Sequence, residues 1–331
     1  MREFEPVSAV YTPPVAATIA LDAVKNMKAN SMRGAYLDIP DIKAYFAPVL
    51  PGQVCAIIGQ TSNYKSGFLH FWERKLAEQL CHEDRQDEVI IHVSVEECVE
   101  EQMFLYLARE TGETSNDLAR GHFQDWDKLE RAAAKVAGIP IFRIGDSLAK
   151  AEDMPNLYLS NMVRSIEALV KGEVCDPVKP AAIFFDYLQA FPFDPEHKQA
   201  VGTEQRRLQV REDMYRLRMA ASYFKCPVIV AVQAKQHLDN IKGDVMIPGM
   251  YDGEESSSIA QRCDRIITLW MPKTTSLINS IIEVGGKNVK VDENLFYIKV
   301  CKQRGGLPAG QVFKCRIDFL RNEISTEARP Q

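Results

Sequence analysis

Three residues in the segment "AIIGQTSNYKSG" have the types and the spacing of a phosphate-binding loop: Gly59, Lys65 and Ser66. In such a loop, backbone N–H groups surround the phosphates, the lysine reaches the β- and γ-phosphates, and the serine hydroxyl holds Mg²⁺. One position departs from the pattern, because Tyr64 stands where the motif has its second glycine. The segment predicts a nucleotide site with Mg²⁺, formed by Gly59, Gln60, Thr61, Ser62, Asn63, Tyr64, Lys65, Ser66 and Gly67.

Tyr64 can be interpreted in two ways. Glycine lets a loop approach phosphate closely and adopt a positive φ angle at little cost. A left-handed tyrosine would cost roughly 1–2 kcal/mol, whereas a tyrosine that starts the next helix with ordinary dihedral angles could point its ring outward. The sequence leaves both conformations open, but Lys65 and Ser66 are retained, which favours a loop that still binds nucleotide.

Acidic and amide side chains end three other apolar segments. "AAIFFDY" contains Asp186 near its end, "HVSVEE" ends in Glu96 and Glu97, and "VIVAVQ" ends in Gln233. If these segments are parallel strands, their carboxyl ends meet at one edge of the sheet. There Asp186 could stand beside Mg²⁺, Glu96 could orient or deprotonate the attacking water, and Gln233 could sense the γ-phosphate. The alternatives are that Asp186 caps a turn and that the glutamates begin the next helix, where acids are favoured.

The elements that must position these residues alternate along the chain. Short, β-branched apolar segments predict buried strands, and longer amphipathic segments predict helices. The predicted strands span residues 54–59, 89–95, 139–145, 181–187, 228–233 and 265–271. This alternation predicts an α/β fold, a mostly parallel twisted sheet with helices on both faces. A C-terminal antiparallel hairpin is predicted around "RGGLPAG", and a helix over residues 15–28.

Composition narrows the class of protein. The chain is 46% hydrophobic and 26% charged, as in ordinary soluble globular proteins. Its net charge of −5 argues against a basic surface overall but allows a local basic channel. The N-terminus has no signal-peptide pattern and no segment is apolar enough to span a bilayer, so we expect a cytoplasmic protein without a membrane partner. The cysteines and histidines lack disulfide or metal-ligand spacing, and we expect structural roles for them.

The order of several segments resembles the ATPase domain of DnaB-type replicative helicases. The segments are "IIGQTSNYKSG", "VSVEECVEEQM", "FFDYLQAF", "VIVAVQAKQ", "SSSIAQRCDRIITLW" and "IKVCKQRGGLPAGQVF", of which "DYLQ" and "KQRGG" are the most specific. The resemblance implies a RecA-like P-loop ATPase that uses ATP and Mg²⁺. It also implies a homo-oligomer, a hexameric ring, with single-stranded DNA in its centre.

The resemblance assigns roles to the residues introduced above. Lys65 matches the phosphate-binding lysine, Ser66 and Asp186 the metal-side residues, Glu96 the catalytic glutamate, and Gln233 the glutamine that couples the nucleotide to the rest of the ring.

Two cations of the terminal hairpin, Lys302 and Arg304, match residues that reach the nucleotide of the neighbouring subunit. A cation supplied in this way stabilises transition-state charge and makes hydrolysis depend on assembly. Taken alone, "CKQRGG" is also consistent with a solvated cationic turn.

The resemblance divides the chain into three parts. Residues 1–34 are expected to form an arm whose helix packs on a neighbouring subunit, residues 35–320 the ATPase domain, and residues 321–331 a tail. The N-terminal domain that such helicases usually carry is expected to be missing. Replication or loader proteins are possible partners.

Two segments match the DNA-binding loops of the central pore, residues 191–212 and 234–258. We expect their cations to contact DNA phosphates without sequence preference. These cations are Lys198, Arg206, Arg207, Arg211, Lys235 and Lys242. Three of the arginines also have helical spacing, so a solvated helix face is an alternative.

Three functions are compatible with the sequence. The leading hypothesis is an ATP-driven ring motor on single-stranded DNA, a helicase or translocase of the replication type. The alternative is an ATP-binding oligomeric module that loads or regulates partner proteins without unwinding DNA. A recombinase-like filament protein is a third, and the terminal hairpin argues against it.

Overall fold

The computed structural model describes residues 12–28, 34–83, 85–148, 157–192, 203–235, 247–253, 256–305 and 307–327. The helices in these residues are α1 (Pro13–Lys28), α2 (Pro40–Tyr45), α3 (Lys65–His82), α4 (Val99–Thr111), α5 (Ser115–Ala119), α6 (Trp126–Ala137), α7 (Leu159–Lys171), α8 (Thr203–Tyr223) and α9 (Ser256–Arg262). Short 3₁₀ turns follow at Leu188–Ala190 and Pro272–Thr274. None of the described helices combines the length and the apolarity that crossing a bilayer requires.

The strands alternate with these helices in the first two thirds of the chain. They are β1 (Val54–Gly59), β2 (Glu88–Ser94), β3 (Ile141–Ile144), β4 (Lys179–Asp186), β5 (Val228–Gln233), β6 (Arg265–Trp270), β7 (Ile281–Val284), β8 (Lys287–Lys290), β9 (Leu295–Gln303), β10 (Val312–Asp318) and β11 (Glu323–Thr326). The strand order of the central nine-stranded sheet of the described residues is β11-β10-β9-β6-β1-β5-β4-β2-β3. The pairs from β6 to β3 are parallel, and β9, β10 and β11 continue the sheet in antiparallel pairs.

The central strands are buried on both faces. Along β1, Cys55 and Ile57 face one apolar layer, while Val54, Ala56 and Ile58 face the other. The first layer is filled by α2 and α3, and the second by α7, α8 and α9. Because successive side chains of a strand point to opposite faces, a strand between two helix layers must be apolar throughout. This explains why the central strands are continuous apolar segments.

Glycines end two of the helices that connect strands. Gly112 follows α4 with a φ of 72°, and Gly172 follows α7 with a φ of 76°. Such left-handed caps satisfy the last helical carbonyl groups and turn the chain. The backbone N–H of Gly112, for example, donates to the carbonyl of Ala108 at 2.8 Å. Local sequence therefore limits the length of each crossover.

The structure confirms the predicted α/β fold, its parallel strands and the C-terminal antiparallel hairpin, which is β9 and β10. The sequence did not predict β7 and β8, which form a separate two-stranded sheet. Residues 321–331 were expected to form a tail, but residues 323–326 form β11 and pair with β10. The short segment "EIST" is a weak strand signal, and its pairing depends on the strand already beside it.

If β11 is part of the core, truncating its buried side chain should destabilise the protein. Ile324 is 6% exposed, and we expect Ile324→Ala to lower the free energy of unfolding by about 2–5 kcal/mol. Urea denaturation followed by circular dichroism measures this. The matched control is Ile281→Ala on β7, where the side chain is 70% exposed and the expected change is within about 0.5 kcal/mol. Equal effects of the two substitutions would show that β11 does not contribute to the core.

Candidate active site

The carboxyl ends of the parallel strands lie level with one another at one edge of the sheet, which we call the carboxyl edge. Gly59 at the end of β1 pairs with Gln233 at the end of β5, and Ser94 of β2 pairs with Asp186 of β4. The registers therefore bring together the residues that the sequence predicted to meet. The phosphate loop, residues 59–66, starts from this edge and continues into α3.

The lysine of the phosphate loop is hydrogen-bonded within the site. Lys65 Nζ donates to the Gln60 carbonyl oxygen at 2.9 Å and to Gln233 Oε1 at 2.8 Å. Gln233 Nε2 donates in turn to Thr61 Oγ1 at 2.8 Å. The Gln233 amide thus contacts both the lysine and the loop, so a phosphate that attracts Lys65 would change the hydrogen bonds of Gln233.

A second amide, which the sequence did not single out, locks the end of β5. Gln189 Oε1 accepts from the backbone N–H of Gln233 at 2.9 Å, and Gln189 Nε2 donates to the carbonyl of Gln233 at 3.3 Å. Gln189 belongs to the "DYLQ" segment, which follows β4. The contact links the ends of β4 and β5.

Asn63 attaches the phosphate loop to β6. Its Oδ1 accepts from the backbone N–H of Met271 at 2.6 Å, and its Nδ2 donates to the Thr61 carbonyl at 3.3 Å. Two non-glycine residues of the loop, Ser62 and Tyr64, have a positive φ of 63°. The loop is therefore held in a tight conformation by side chains that hydrogen-bond to backbone groups.

Tyr64 adopts the left-handed conformation, with a φ of 63° and a ψ of 31°. The interpretation in which the ring points outward is therefore wrong. The ring packs inward and makes edge-to-face contacts with Phe296 and Phe319. Tyr64 Oη donates to Asn322 Oδ1 at 2.7 Å, and burial raises the pKa of the phenol, which stays protonated. These contacts with β9 and with the β10–β11 region offset the left-handed strain of roughly 1–2 kcal/mol.

Gly67 makes room for this ring. A Cβ atom at position 67 would lie 2.4 Å from Cε2 and 2.5 Å from Cζ of Tyr64. No real Cβ contact is that short, so any larger residue would displace the ring. The loop therefore has no glycine at position 64, where the motif has one, and requires a glycine at position 67 instead.

Asp186 fits the role of a metal-side carboxylate. It is fully buried, and neither of its oxygens has a hydrogen-bond partner of good geometry among the described residues. Burial raises the pKa of Asp186 to about 6, while the nearby Ser66 hydroxyl acts in the opposite direction. A buried, unpartnered carboxylate beside a hydroxyl is a ligand set that suits Mg²⁺, because oxygen atoms are the ligands of this ion.

The two glutamates after β2 differ in their surroundings. Glu96 is exposed over most of its surface, but nearby protein atoms remove some water from its carboxylate, which raises its pKa, and the charge of Lys65 partly opposes this. Glu97 is engaged with His70, whose Nε2 lies 3.1 Å from Glu97 Oε2. Burial would raise the pKa of Glu97, but this hydrogen bond and the charge of His70 lower it. An accessible carboxylate with a raised pKa has the properties that a general base needs, and Glu96 has both.

The hairpin cations, Lys302 and Arg304, lie at the opposite edge of the sheet. Lys302 pairs with Ile266 near the start of β6, and the Arg304 guanidinium lies 3.5 Å from Asp264 Oδ1. Asp264 also accepts from the backbone N–H of Val54, the first residue of β1. Lys302 and Arg304 are thus separated from the phosphate loop of the same chain by the length of β1. That length is roughly 16 Å, at 3.3 Å per residue.

The residues predicted to contact DNA lie on α8, after β5 and outside the described residues. Arg206 is half-buried on α8 and donates to the Gln189 carbonyl and to Gln209. Arg207 and Arg211 are exposed on the same helix, and Lys235 is exposed directly after β5. Lys198 and Lys242 lie outside the described residues.

Comparison with protein families is consistent with this geometry. The sequence model of the DnaB-like helicase C terminal domain matches residues 39–323. The chain belongs to this family. A search of curated proteins gives no match. This DnaB-like chain is a replicative helicase-type ATPase with a RecA-like nucleotide-binding fold, as the sequence resemblance implied.

Solved structures show the same fold. The ATPase domain of G40P superposes with a TM-score of 0.71 at 15% identity, covering 94% of this chain and 98% of that chain. A DnaB-like replicative helicase, described with its interactions with primase, superposes with a TM-score of 0.69 at 16% identity, covering 92% and 67%. These identities are low, so the likeness concerns the fold.

The steric relation between Tyr64 and Gly67 can be tested with a double-mutant cycle. Gly67→Ala should lower the free energy of unfolding by about 1–3 kcal/mol, because the new methyl group overlaps the ring. In a Tyr64→Gly background the same substitution should be neutral or stabilising, since alanine favours helices. Urea denaturation of the four proteins measures the coupling.

Tyr64→Phe is the control background, because it keeps the ring, so that Gly67→Ala should remain destabilising in it. Equal effects of Gly67→Ala in all three backgrounds would refute the relation.

Glu96 should be needed for hydrolysis and dispensable for binding. We expect Glu96→Gln to lower kcat by about 10²–10⁴-fold while ATP affinity stays within a small factor. The base acts when ionised, so kcat of the wild type should fall as the pH decreases through the pKa of Glu96. Because burial raises that pKa, the fall should begin at a higher pH than for an ordinary glutamate.

A pH series of kcat with calorimetric titration of ATP checks both points, and Glu130→Gln on the exposed side of α6 is the control. Unchanged kcat in Glu96→Gln would rule out Glu96 as the base.

Proposed function

We propose that this chain is an ATP-driven, ring-forming motor that acts on single-stranded DNA, with each nucleotide site completed by a neighbouring copy. The observation that supports this most directly is the placement of the two halves of the site. The phosphate loop is at the carboxyl edge of the sheet, and the hairpin cations are at the opposite edge. The two halves can meet between copies arranged head to tail, and such contacts form a closed ring when the rotation from one copy to the next closes.

The helix α1 provides a second argument for assembly. Its apolar side chains are exposed by roughly half or more, including Val15, Ile19, Leu21 and Val24. An amphipathic helix that leaves its apolar residues in water is stabilised when it covers them on another surface. We propose that a neighbouring subunit provides that surface.

In this proposal, the residues of the carboxyl edge divide the work of hydrolysis. Lys65 leaves Gln233 and pairs with the phosphates. Ser66 and Asp186 would hold Mg²⁺, which would supply positive charge to the phosphates. Glu96 orients and deprotonates the attacking water. Gln233, released by Lys65, transmits the change through Gln189 to the segments after β4 and β5.

The segments after β4 and β5 carry the cations proposed to bind DNA. Arg207, Arg211 and Lys235 are exposed, and Lys198 and Lys242 belong to the same segments of the sequence. Contacts of this kind neutralise phosphates, so DNA affinity should decrease with increasing salt concentration. Arg206 contributes less directly, since its guanidinium is engaged inside the chain.

Measuring ATP hydrolysis across protein concentration, with and without single-stranded DNA, tests the function. Turnover per protomer should rise with concentration, because the site needs two copies, and DNA should increase it further. Unwinding of a forked duplex that is lost in Lys65→Ala identifies a motor. DNA-stimulated turnover without strand separation would favour the loading or regulatory module instead. No turnover at any concentration would eliminate the proposal.

Mixing two inactive variants tests whether the hairpin cations act in trans. Lys65→Ala removes a phosphate contact and Arg304→Ala removes a transition-state cation, so each alone should lose about 10³-fold or more in kcat. In a mixture, the intact loop of one variant meets the intact arginine of the other, and part of the activity should return. Arg164→Ala, an exposed arginine on α7, is the matched control and should hydrolyse ATP normally. A mixture as inactive as its components would contradict shared sites.

A further inference from the structure

A cluster of ionisable side chains, of which only His70 has been described so far, is buried between α3 and the central strands. We call it the buried ionic cluster, and it consists of His70, Glu73, His92, Tyr106 and Arg143. Glu73 Oε1 accepts from His70 Nδ1 at 2.9 Å, from Tyr106 Oη at 2.6 Å and from an Arg143 nitrogen at 2.7 Å. Glu73 Oε2 accepts from His92 Nδ1 at 2.5 Å. Charges buried this completely are costly unless they are paired, so such a cluster requires an explanation.

The cluster has the ligand types of a metal site but the contacts of an ionic network. His70, Glu73 and His92 offer ligand atoms that lie within 4.8 Å of one another. Both oxygens of Glu73, however, already accept hydrogen bonds, and the guanidinium of Arg143 supplies a positive charge beside them. A second cation there would be repelled by the first, so the geometry favours a balanced network.

The charges within the cluster are arranged around Glu73. Burial would raise the pKa of Glu73, but Arg143 and the two histidines hold it well below its usual range. Burial would lower the pKa of His70, but Glu73 and Glu97 raise it to about 9. Burial lowers the pKa of His92 to about 4 against the influence of Glu73. His70 is therefore an imidazolium at neutral pH, whereas His92 is neutral.

Being protonated at both ring nitrogens, His70 donates two hydrogen bonds in opposite directions. Its Nδ1–H donates to Glu73, and its Nε2–H donates to Glu97 Oε2 at 3.1 Å. The stacked ring of His92, 4.8 Å away, limits rotation of the imidazolium. Through His70 Nε2–H, the buried ionic cluster thus donates one hydrogen bond to the loop that follows β2.

Glu97 is the residue through which this donor reaches the active site. Its backbone N–H donates to Ser94 Oγ at 3.0 Å, and its carbonyl accepts from Gln102 Nε2 at 2.9 Å. With the His70 contact, both the main chain and the side chain of Glu97 are held. Glu96, the preceding residue, is exposed, and it is near enough to Lys65 of the phosphate loop for the lysine charge to act on its carboxylate.

From this geometry we infer that Glu97, fixed by His70 and the buried ionic cluster, is a positioning residue that sets the place of the Glu96 carboxylate. The inference rests on the proposed hydrolysis of ATP, in which Glu96 acts on the attacking water. Without the Glu97 carboxylate, the loop loses its side-chain attachment and the His70 imidazolium loses a partner. Small displacements of a catalytic group have large effects on rate, so hydrolysis should suffer while nucleotide binding does not.

The test compares Glu97→Ala with Glu97→Gln. Glu97→Ala removes the acceptor and should lower kcat by about 10- to 100-fold, with the affinity for ADP and Mg²⁺ and the oligomeric state unchanged. Glu97→Gln keeps an oxygen that can accept from His70 and should retain most of kcat. Glu97 is partly exposed, so neither variant should prevent folding. Glu130→Ala is the control for loss of a remote carboxylate.

A measurement independent of activity follows the imidazolium itself. In NMR titrations of protein labelled at histidine, the His70 signal should titrate near pH 9 in the wild type and lower in Glu97→Ala. The groups that face His70 are Glu73, Glu97, His92, Tyr106 and Arg143, and Asp186 of β4 is near enough to interact with its charge. Of these groups, only Glu97 differs between the two proteins.

The outcomes separate this inference from the proposed function. Wild-type kcat in Glu97→Ala, or an unchanged His70 titration, would overturn the positioning role and leave the ATPase proposal intact. A loss in Glu97→Gln as deep as in Lys65→Ala, with Glu96→Gln active, would make Glu97 the base and also overturn it. A wild type that neither binds nor hydrolyses ATP would remove the proposed function and, with it, this inference.

Discussion

Strand direction is the constraint on which the rest of this structure depends. Parallel strands in register bring Gly59, Asp186 and Gln233 to one edge of the sheet. Beyond β6 the sheet continues with β9, which is antiparallel, so the end of β9 brings Lys302 and Arg304 to the other edge. One reversal of direction thus separates the phosphate loop from the hairpin cations within a single chain. In the proposed ring, a complete site therefore needs more than one copy, because phosphoryl transfer uses a cation beside the phosphates.

The phosphate loop is supported from three directions. Asn63 connects it to the end of β6, Tyr64 to the β10–β11 region, and Lys65 to the end of β5. Loops of this kind usually rely on glycine for their tight path. In this chain, side-chain contacts with three neighbouring strands hold the same path, so the C-terminal strands contribute to the geometry of the nucleotide site.

Sequence patterns predicted the strands and the carboxyl-edge residues because both follow from local features. A continuous apolar segment predicts a buried strand, and the polar residue that ends it, Asp186, Glu96 or Gln233, is predicted to lie at the end of that strand. The inward ring of Tyr64 could not be predicted, since its partners Phe296, Phe319 and Asn322 are more than 200 residues away in the chain.

The buried ionic cluster left a signal that could have been noticed. His92 interrupts the apolar segment "VIIHVSV", and a polar residue inside a buried strand needs a partner. His70 and Glu73 lie three residues apart, on one face of α3, and supply that partner. Metal-ligand spacing was the wrong criterion, because the relevant chemistry is hydrogen bonding between charged groups. Arg143 and Tyr106 complete the cluster from separate elements, which only the tertiary structure brings together.

The overlap between the Tyr64 ring and any side chain at position 67 also limits which substitutions this loop accommodates. Glycine at both positions gives no overlap, whereas tyrosine at 64 makes any residue larger than glycine at 67 unfavourable. Substitutions at the two positions are therefore coupled, since a side chain at position 67 fits without displacing an aromatic ring only when residue 64 is small. The choice of residue in the first turn of α3 is thus set by the residue that precedes the helix.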